Sequence, residues 1–167
     1  ADILSGDAGA NRLEGGGADD LLRGRAGADT LNGNAGRDTA SYSDSTAAVN
    51  VSLATGFAAG GHAAGDVFIG IENFQGSAHA DRLNGDGGAN VLEGLAGADT
   101  LNGNAGNDTA SYASSTAGVN VSLAPGFAAG GHAAGDVFVS IENLQGSAHA
   151  DILSGDAGAN RLEGGGA

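Results

Sequence analysis

GRAGADTLNGNAGRDTAS, residues 24–41, is one nine-residue phrase written twice. GRAGADTLN (24–32) and GNAGRDTAS (33–41) share Gly at places one and four, Asp at place six and an apolar residue at place eight. The phrase continues upstream as GDAGANRLE (6–14) and GGGADDLLR (15–23). It returns downstream as GSAHADRLN (76–84), GDGGANVLE (85–93), GLAGADTLN (94–102) and GNAGNDTAS (103–111), then as GSAHADILS (146–154) and GDAGANRLE (155–163).

The spacing predicts a solenoid. An x-Leu-x segment centred on place eight is a short strand whose central side chain points inward while its neighbours point outward. Leu4, Leu13, Leu22, Leu31, Leu83, Leu92, Leu101, Leu153 and Leu162 hold that place. The six preceding residues form a turn, where glycine adopts conformations that a Cβ would block. Two phrases close one coil, so residues 18 apart stack in the sheet direction, at about 4.8 Å per layer. A single coil cannot bury its leucines; a stack of coils can.

A longer period lies over the short one. Residues 24–79 align with 94–149 without a gap, with nine differences in 56 positions. The first unit is longer by one block, GGGADDLLR (15–23), so the chain reads as 79 residues, then 70, then a third start. The eighteen residues 1–18 recur unchanged at 150–167. The expectation is a window from a longer tandem array: repeat blocks at 1–41, 67–111 and 137–167, joined by connectors at 42–66 and 112–136 into one continuous solenoid.

Composition narrows the partners. The 167 residues include 33 Gly, one Pro and no Cys, Met or Trp, and the net charge is −14. A polyanion is repelled by nucleic acid and by anionic membranes, and attracts cations. Without Cys there are neither disulfides nor thiolate metal sites. No apolar run approaches the ~18 residues of a membrane span, and no signal peptide is visible in a chain that begins inside a repeat. Glycines placed on a period argue against a disordered linker.

The phrase resembles GGxGxDxUx, the nonapeptide of the RTX, or hemolysin-type calcium-binding, repeat. GRAGADTLN and GLAGADTLN match it closely, with Arg25 and Leu95 in place of the second Gly. GDAGANRLE and GDGGANVLE carry Asn at place six, and GGGADDLLR carries Ala18 at place four. The intervening text, from DTASY to ENFQGSAHAD, resembles the connectors of large secreted RTX proteins. The resemblance covers essentially the whole chain. It implies an all-β parallel β-roll with wider connector coils, Ca²⁺ between stacked turns, and type I secretion to the cell exterior or surface of a bacterium.

The chemistry agrees from below. Ca²⁺ takes six to eight oxygens from carboxylates and carbonyls, and a Gly-rich turn exposes carbonyls. Place six adds Asp or Asn. The expected ligands stack along two edges: Asp2, Asp20 and Asp38 on one, Asn11 and Asp29 on the other, then Asp81 with Asp99, Asn90 with Asp108, and finally Asp151 and Asn160. Asp20, Asp29, Asp38, Asp99 and Asp108 are the strongest candidates, and Asn brings less charge. Such Asp residues also cap turns through their own backbone, a role compatible with metal binding. Rows of carboxylates repel, so folding is expected to depend on Ca²⁺.

In the connector, VNVSLA (49–54) alternates as a half-buried strand, FAAGGHAAGD (57–66) reads as a loop and VFIGI (67–71) as the next strand. A small inserted β-module is the alternative to a wider coil. Asp66 and Asp136 are read as loop terminators, with a further ion site as the alternative. Glu72 and Glu142 either pair with a stacked turn or add a ligand. Tyr42 and Tyr112 cover the core, and His62, His79, His132 and His149 are turn residues copied with the repeat, since no second ligand stands at metal spacing.

No catalytic constellation stands apart from the repeat, so the chain is not expected to be an enzyme. The expected function is structural: a calcium-stiffened spacer, adhesin stalk or filament segment of a secreted protein, with end-to-end or lateral self-association through further repeats. The alternative is a secretion and folding module of an enzyme whose catalytic domain lies outside this chain. Ice binding ranks below both, because turn places three and five are mostly Ala or Gly.

Overall fold

The computed structural model describes residues 1–124 and 126–166. Short strands alternate between two facing walls. Strands β1 (Ile3–Ser5), β2 (Arg12–Gly17), β3 (Leu21–Arg23), β4 (Thr30–Ala35) and β5 (Thr39–Ser41) come from the first nonapeptides. β1 pairs in parallel with β3, aligning Leu4 with Leu22. β2 pairs with β4, aligning Leu13 with Leu31. The 18-residue step of the sequence is therefore the coil pitch.

The connector then forms β6 (Asn50–Ser52), β7 (Phe57–Ala59) and a 3₁₀ turn at Gly61–Ala63, and enters β8 (Val67–Ile69). β9 (Asn73–Gln75), β10 (Arg82–Asn84), β11 (Val91–Glu93), β12 (Thr100–Asn102) and β13 (Thr109–Ser111) resume the nonapeptide rhythm. The second connector gives β14 (Asn120–Ser122), β15 (Phe127–Ala129), a 3₁₀ turn at Gly131–Ala133 and β16 (Val137–Val139). β17 (Asn143–Gln145), β18 (Ile152–Ser154) and β19 (Leu162–Glu163) complete the stack.

One wall is a single parallel sheet of eight strands, β1-β3-β5-β9-β11-β13-β17-β19. The opposite wall is three sheets: β2-β4-β8, then β7-β6-β10-β12-β16, then β15-β14-β18. Their breaks mark the connectors. β8 stacks on β4, aligning Phe68 with Leu31, although β6 comes earlier in the chain. β6 instead stacks under β10, aligning Val51 with Leu83, and β7 turns back antiparallel beside it. The chain thus overshoots a layer, reverses and fills the place it skipped. The coil widens from 18 residues to the 34 that separate Ala40 from its partner Phe74.

FAAGGHAAGD is accordingly not all loop. Its first three residues are β7, because the turn after β6 brings their backbone against an otherwise open strand edge. The strand within VNVSLA is shorter than the alternation suggests, spanning three residues.

The core lies between the walls. Leu22, Leu31, Leu83, Leu92 and Leu101 are fully buried, as are Ala40 and Ala110, which hold the same place in their phrases. Phe74 and Leu144 follow in the same column and Val51 and Val121 in the opposite one. Phe68 packs edge-on against Phe74, ring centroids 5.0 Å apart. Tyr42 and Tyr112 are completely enclosed at the start of each connector.

The extra block 15–23 reverses one relation between sequence and position. Leu4 belongs to the eight-stranded wall, while Leu153, at the same place in an identical peptide, belongs to the opposite wall beside Val121.

Burial predicts the cost of core truncation. Leu92→Ala should destabilise the calcium-bound chain by about 2–5 kcal/mol, whereas Leu162→Ala, 42% exposed, should cost less than about 1 kcal/mol. Urea unfolding at fixed calcium checks the difference.

Candidate metal sites in the stacked turns

Each turn ends on its place-six residue, and these residues form a ladder along each edge. On one edge Asp2 N–H donates to Asp20 Oδ1 at 2.6 Å, and Asp20 N–H to Asp38 Oδ1 at 2.8 Å. Asp38 N–H then donates to Glu72 Oε2 at 2.8 Å. Further along, Asn90 N–H donates to Asp108 Oδ1 and Asp108 N–H to Glu142 Oε2, both at 2.8 Å. On the other edge Asn11 donates to Asp29 and Asp29 to Asp66. Asp81 donates to Asp99 and Asp99 to Asp136.

The connectors enter the same ladder. Asp66 and Asp136 do more than terminate a loop: each offers one oxygen to the preceding layer and accepts the Tyr42 or Tyr112 hydroxyl on the other at 2.8 Å. Glu72 and Glu142 pair with the stacked turn. Val49 and Val119 donate their amides to Asp81 and Asp151. The frame carried a signal for Asp66: GHAAGDVFI (61–69) has Gly, Asp and Phe at places one, six and eight.

The second carboxylate oxygen separates the turns into two kinds. Among the described residues, Asp20, Asp29, Asp38, Asp99 and Asp108 each hold Oδ2 buried with no hydrogen-bond partner. In all five turns places two and four have positive φ: Gly16 and Ala18, Arg25 and Gly27, Asn34 and Gly36, Leu95 and Gly97, Asn104 and Gly106. The place-one glycine is required there by contact. A Cβ at Gly15 would lie 2.5 Å from Asp20 Oδ2 and 2.9 Å from the Gly33 carbonyl. At Gly33 it would meet Asp38 Oδ2 and the Gly70 carbonyl, and at Gly103 Asp108 Oδ2 and the Ser140 carbonyl.

The other turns close on themselves. Asp7 N–H donates to Asn11 Oδ1 at 2.8 Å, while Asp7 Oδ1 accepts Gly9 N–H at 2.8 Å and Asn11 Nδ2 at 3.1 Å. Asp86, Gly88 and Asn90 repeat this set, as do Asp156, Gly158 and Asn160. In the GSAHAD turns, Ser77 N–H and Oγ–H both donate to Asp81, and Ser147 does the same to Asp151. Asp2 is exposed in its layer.

Burial and local hydrogen bonds push the turn carboxylates in opposite directions. Burial pushes Asp29, Asp38 and Asp108 above the usual carboxylate range, and neighbouring carboxylates add to the shift. Burial drives Asp99 up to about 8, with Asp136 and Asp81 pushing the same way. Asp66 and Asp136 are raised by burial to about 6, and burial also raises Asp81. In the self-closed turns, Asp7 and Asp156 are held below the ordinary range by the Gly9 and Gly158 amides and the facing Asn. Against the burial that opposes it, hydrogen bonds from Val119 and Ser147 hold Asp151 low.

These sites suit a hard cation. Among the described residues no three His, Asp or Glu side chains converge on one point, so an ion must draw on backbone carbonyls as well. Carboxylate and carbonyl oxygens meet over Gly15, Gly33 and Gly103, the all-oxygen environment calcium takes. His62 Nδ1 lies 3.5 Å from Asp44 Oδ1, and Arg25 Nε lies 3.4 Å from Asp44 Oδ2. Leu95 and Ser114 replace the latter two in the second unit.

The fold and its turns define a calcium-binding repeat solenoid. The chain matches the RTX calcium-binding nonapeptide repeat (4 copies) over residues 1–40, 75–110 and 140–167. These segments make up well over half of the chain, which belongs to that family. No curated protein was found to match it.

The raised carboxylates predict a pH response of the ion-free chain. A folded pKa above the unfolded one contributes stability that is complete below the unfolded value near 3.8 and lost as pH rises through the folded value, about 8 for Asp99. In chelator the chain should therefore be more folded at pH 5 than at pH 8. Excess calcium should reverse the trend, because the ion displaces protons. Circular dichroism against pH, with and without calcium, tests both signs.

Proposed function

We propose that this chain is a calcium-stiffened structural segment of a secreted bacterial protein, acting as a spacer, adhesin stalk or filament. The observation that carries the reading is the set of five buried, partnerless carboxylate oxygens at Asp20, Asp29, Asp38, Asp99 and Asp108. Left bare, each costs desolvation free energy and repels its neighbours. A bound Ca²⁺ satisfies them and joins consecutive layers. These aspartates supply carboxylate ligands, and the carbonyls of the next layer, such as those of Gly33, Gly70 and Ser140, complete the oxygen set. Calcium binding is then coupled to folding, since the unfolded chain has no site.

An extender needs only that each coil stack on the next, and the near-identity of 24–79 and 94–149 suits that role. Extracellular calcium would order such a segment after export in the unfolded state. Among the described residues no helix is long and apolar enough to cross a membrane. Further repeats would lengthen the stack end to end.

A calcium titration followed by far-UV circular dichroism, with Mg²⁺ as control, tests the proposal. The expected result is a coil-to-β transition specific to Ca²⁺, with a midpoint of roughly 10⁻⁴–10⁻³ M, the range of extracellular calcium modules. A chain already β-rich in chelator and indifferent to Ca²⁺ would sink it. Asp38→Asn should raise the calcium midpoint several-fold.

A further inference from the structure

We infer that the residue at place two decides whether a turn takes an ion: turns with Asp or Ser there are locked by their own amides and bind none. The inference rests on the calcium reading above and refines it. Five turns belong to the locked class: 6–11, 76–81, 85–90, 146–151 and 155–160. Five belong to the open class: 15–20, 24–29, 33–38, 94–99 and 103–108.

The two classes differ in geometry as well as in sequence. In the open turns the place-two residue has positive φ: 96° at Gly16, 70° at Arg25, 68° at Asn34, 69° at Leu95 and 68° at Asn104. The same turns are the ones whose place-six Oδ2 is buried and partnerless. In the locked turns neither Asp7, Asp86 and Asp156 nor Ser77 and Ser147 has positive φ. Their backbone N–H groups point at the place-six side chain instead, at 2.8 Å for Asp7, Asp86 and Asp156.

An amide donor there does what a cation would otherwise do. It neutralises the oxygen by hydrogen bonding, and it occupies the space the ion needs. Asn at place six completes the exclusion, because its Nδ2 donates back to the place-two carboxylate at 3.1 Å in the first turn and 3.2 Å in the second. In the Asp-type locked turns the carboxylate moves from place six to place two, where it caps the turn as an Asx residue. Asn11, Asn90 and Asn160, with Asp81 and Asp151, are by this reading ion-independent ladder members.

The classes are also ordered along the chain. In the first unit the locked turn 6–11 precedes the open turns 15–20, 24–29 and 33–38, and after the first connector the locked turns 76–81 and 85–90 precede the open turns 94–99 and 103–108. A stretch competent to form turns without calcium therefore precedes every stretch that requires it.

Exchanging the two classes tests the inference. Arg25→Asp with Asp29→Asn rewrites turn 24–29 as GDAGAN, the sequence of turn 6–11. Asp86→Asn with Asn90→Asp rewrites turn 85–90 as GNGGAD, the open pattern. Isothermal titration calorimetry with CaCl₂ on the full chain, checked by native mass spectrometry, reads the number of ions bound. The first variant should bind one ion fewer than the unmodified chain and keep more β signal in chelator. The second should bind one ion more, a gain that misfolding cannot mimic. Unchanged stoichiometry in both variants would overturn the inference while leaving the calcium reading intact. No calcium bound by the unmodified chain would overturn both.

Discussion

One hydrogen bond, repeated layer after layer, organises this solenoid: the backbone amide of a place-six residue donates to the place-six carboxylate one coil further on. At 2.8 Å, as between Asp20 and Asp38, it is a charge-assisted contact between buried groups, stronger than a neutral amide pair. It fixes the pitch, because only a residue 18 positions away, or one delivered there by a connector, can supply the acceptor. It also commits one carboxylate oxygen and leaves the other to be satisfied by something else. Much of the chemistry of the chain lies in how that second oxygen is treated: a tyrosine hydroxyl at Asp66, a serine amide at Asp81, nothing from the protein at Asp29.

Seen this way, the connectors are part of the same edge. Tyr42 and Asp66 form a buried pair that closes a row of turns without a cation. Burial and the facing carboxylate raise the tyrosine far from ionisation, so it stays a donor at any physiological pH. The β6–β7 hairpin adds two strands to one wall only, while the eight-stranded wall runs past both connectors uninterrupted. Continuity of the rod therefore rests on that wall, and variation in the repeat is accommodated on the other.

The nonapeptide made much of this legible. Leucine at place eight gave the inward column, and the 18-residue period gave the stacking of Asp20 on Asp38 and of Asp99 on Asp81. The two kinds of turn were harder to see, because Asp at place two reads as one more acidic residue until its amide is found on Asn11. The hairpin was hidden for a different reason. Ala58 and Ala59 have little strand character of their own, and the segment pairs because a turn returns its backbone to β6. Asp66 reads as a loop terminator rather than a ladder member because its block overlaps the next one, shortening the intervening turn to Gly70–Glu72.

The placement of the duplicated eighteen residues has a consequence for recognition. The segment from residue 1 enters through the eight-stranded wall at β1 and its copy from residue 150 through the other at β18, so the two copies present their side chains to opposite sides of the rod. A receptor, antibody or enzyme that reads one copy of this peptide surface finds the second only by approaching from the far side. A single nonapeptide, inserted or deleted, is enough to turn every downstream surface by half a revolution while leaving the core unchanged. In such a rod the parity of the repeat count, invisible in any one repeat, decides which way the molecule faces.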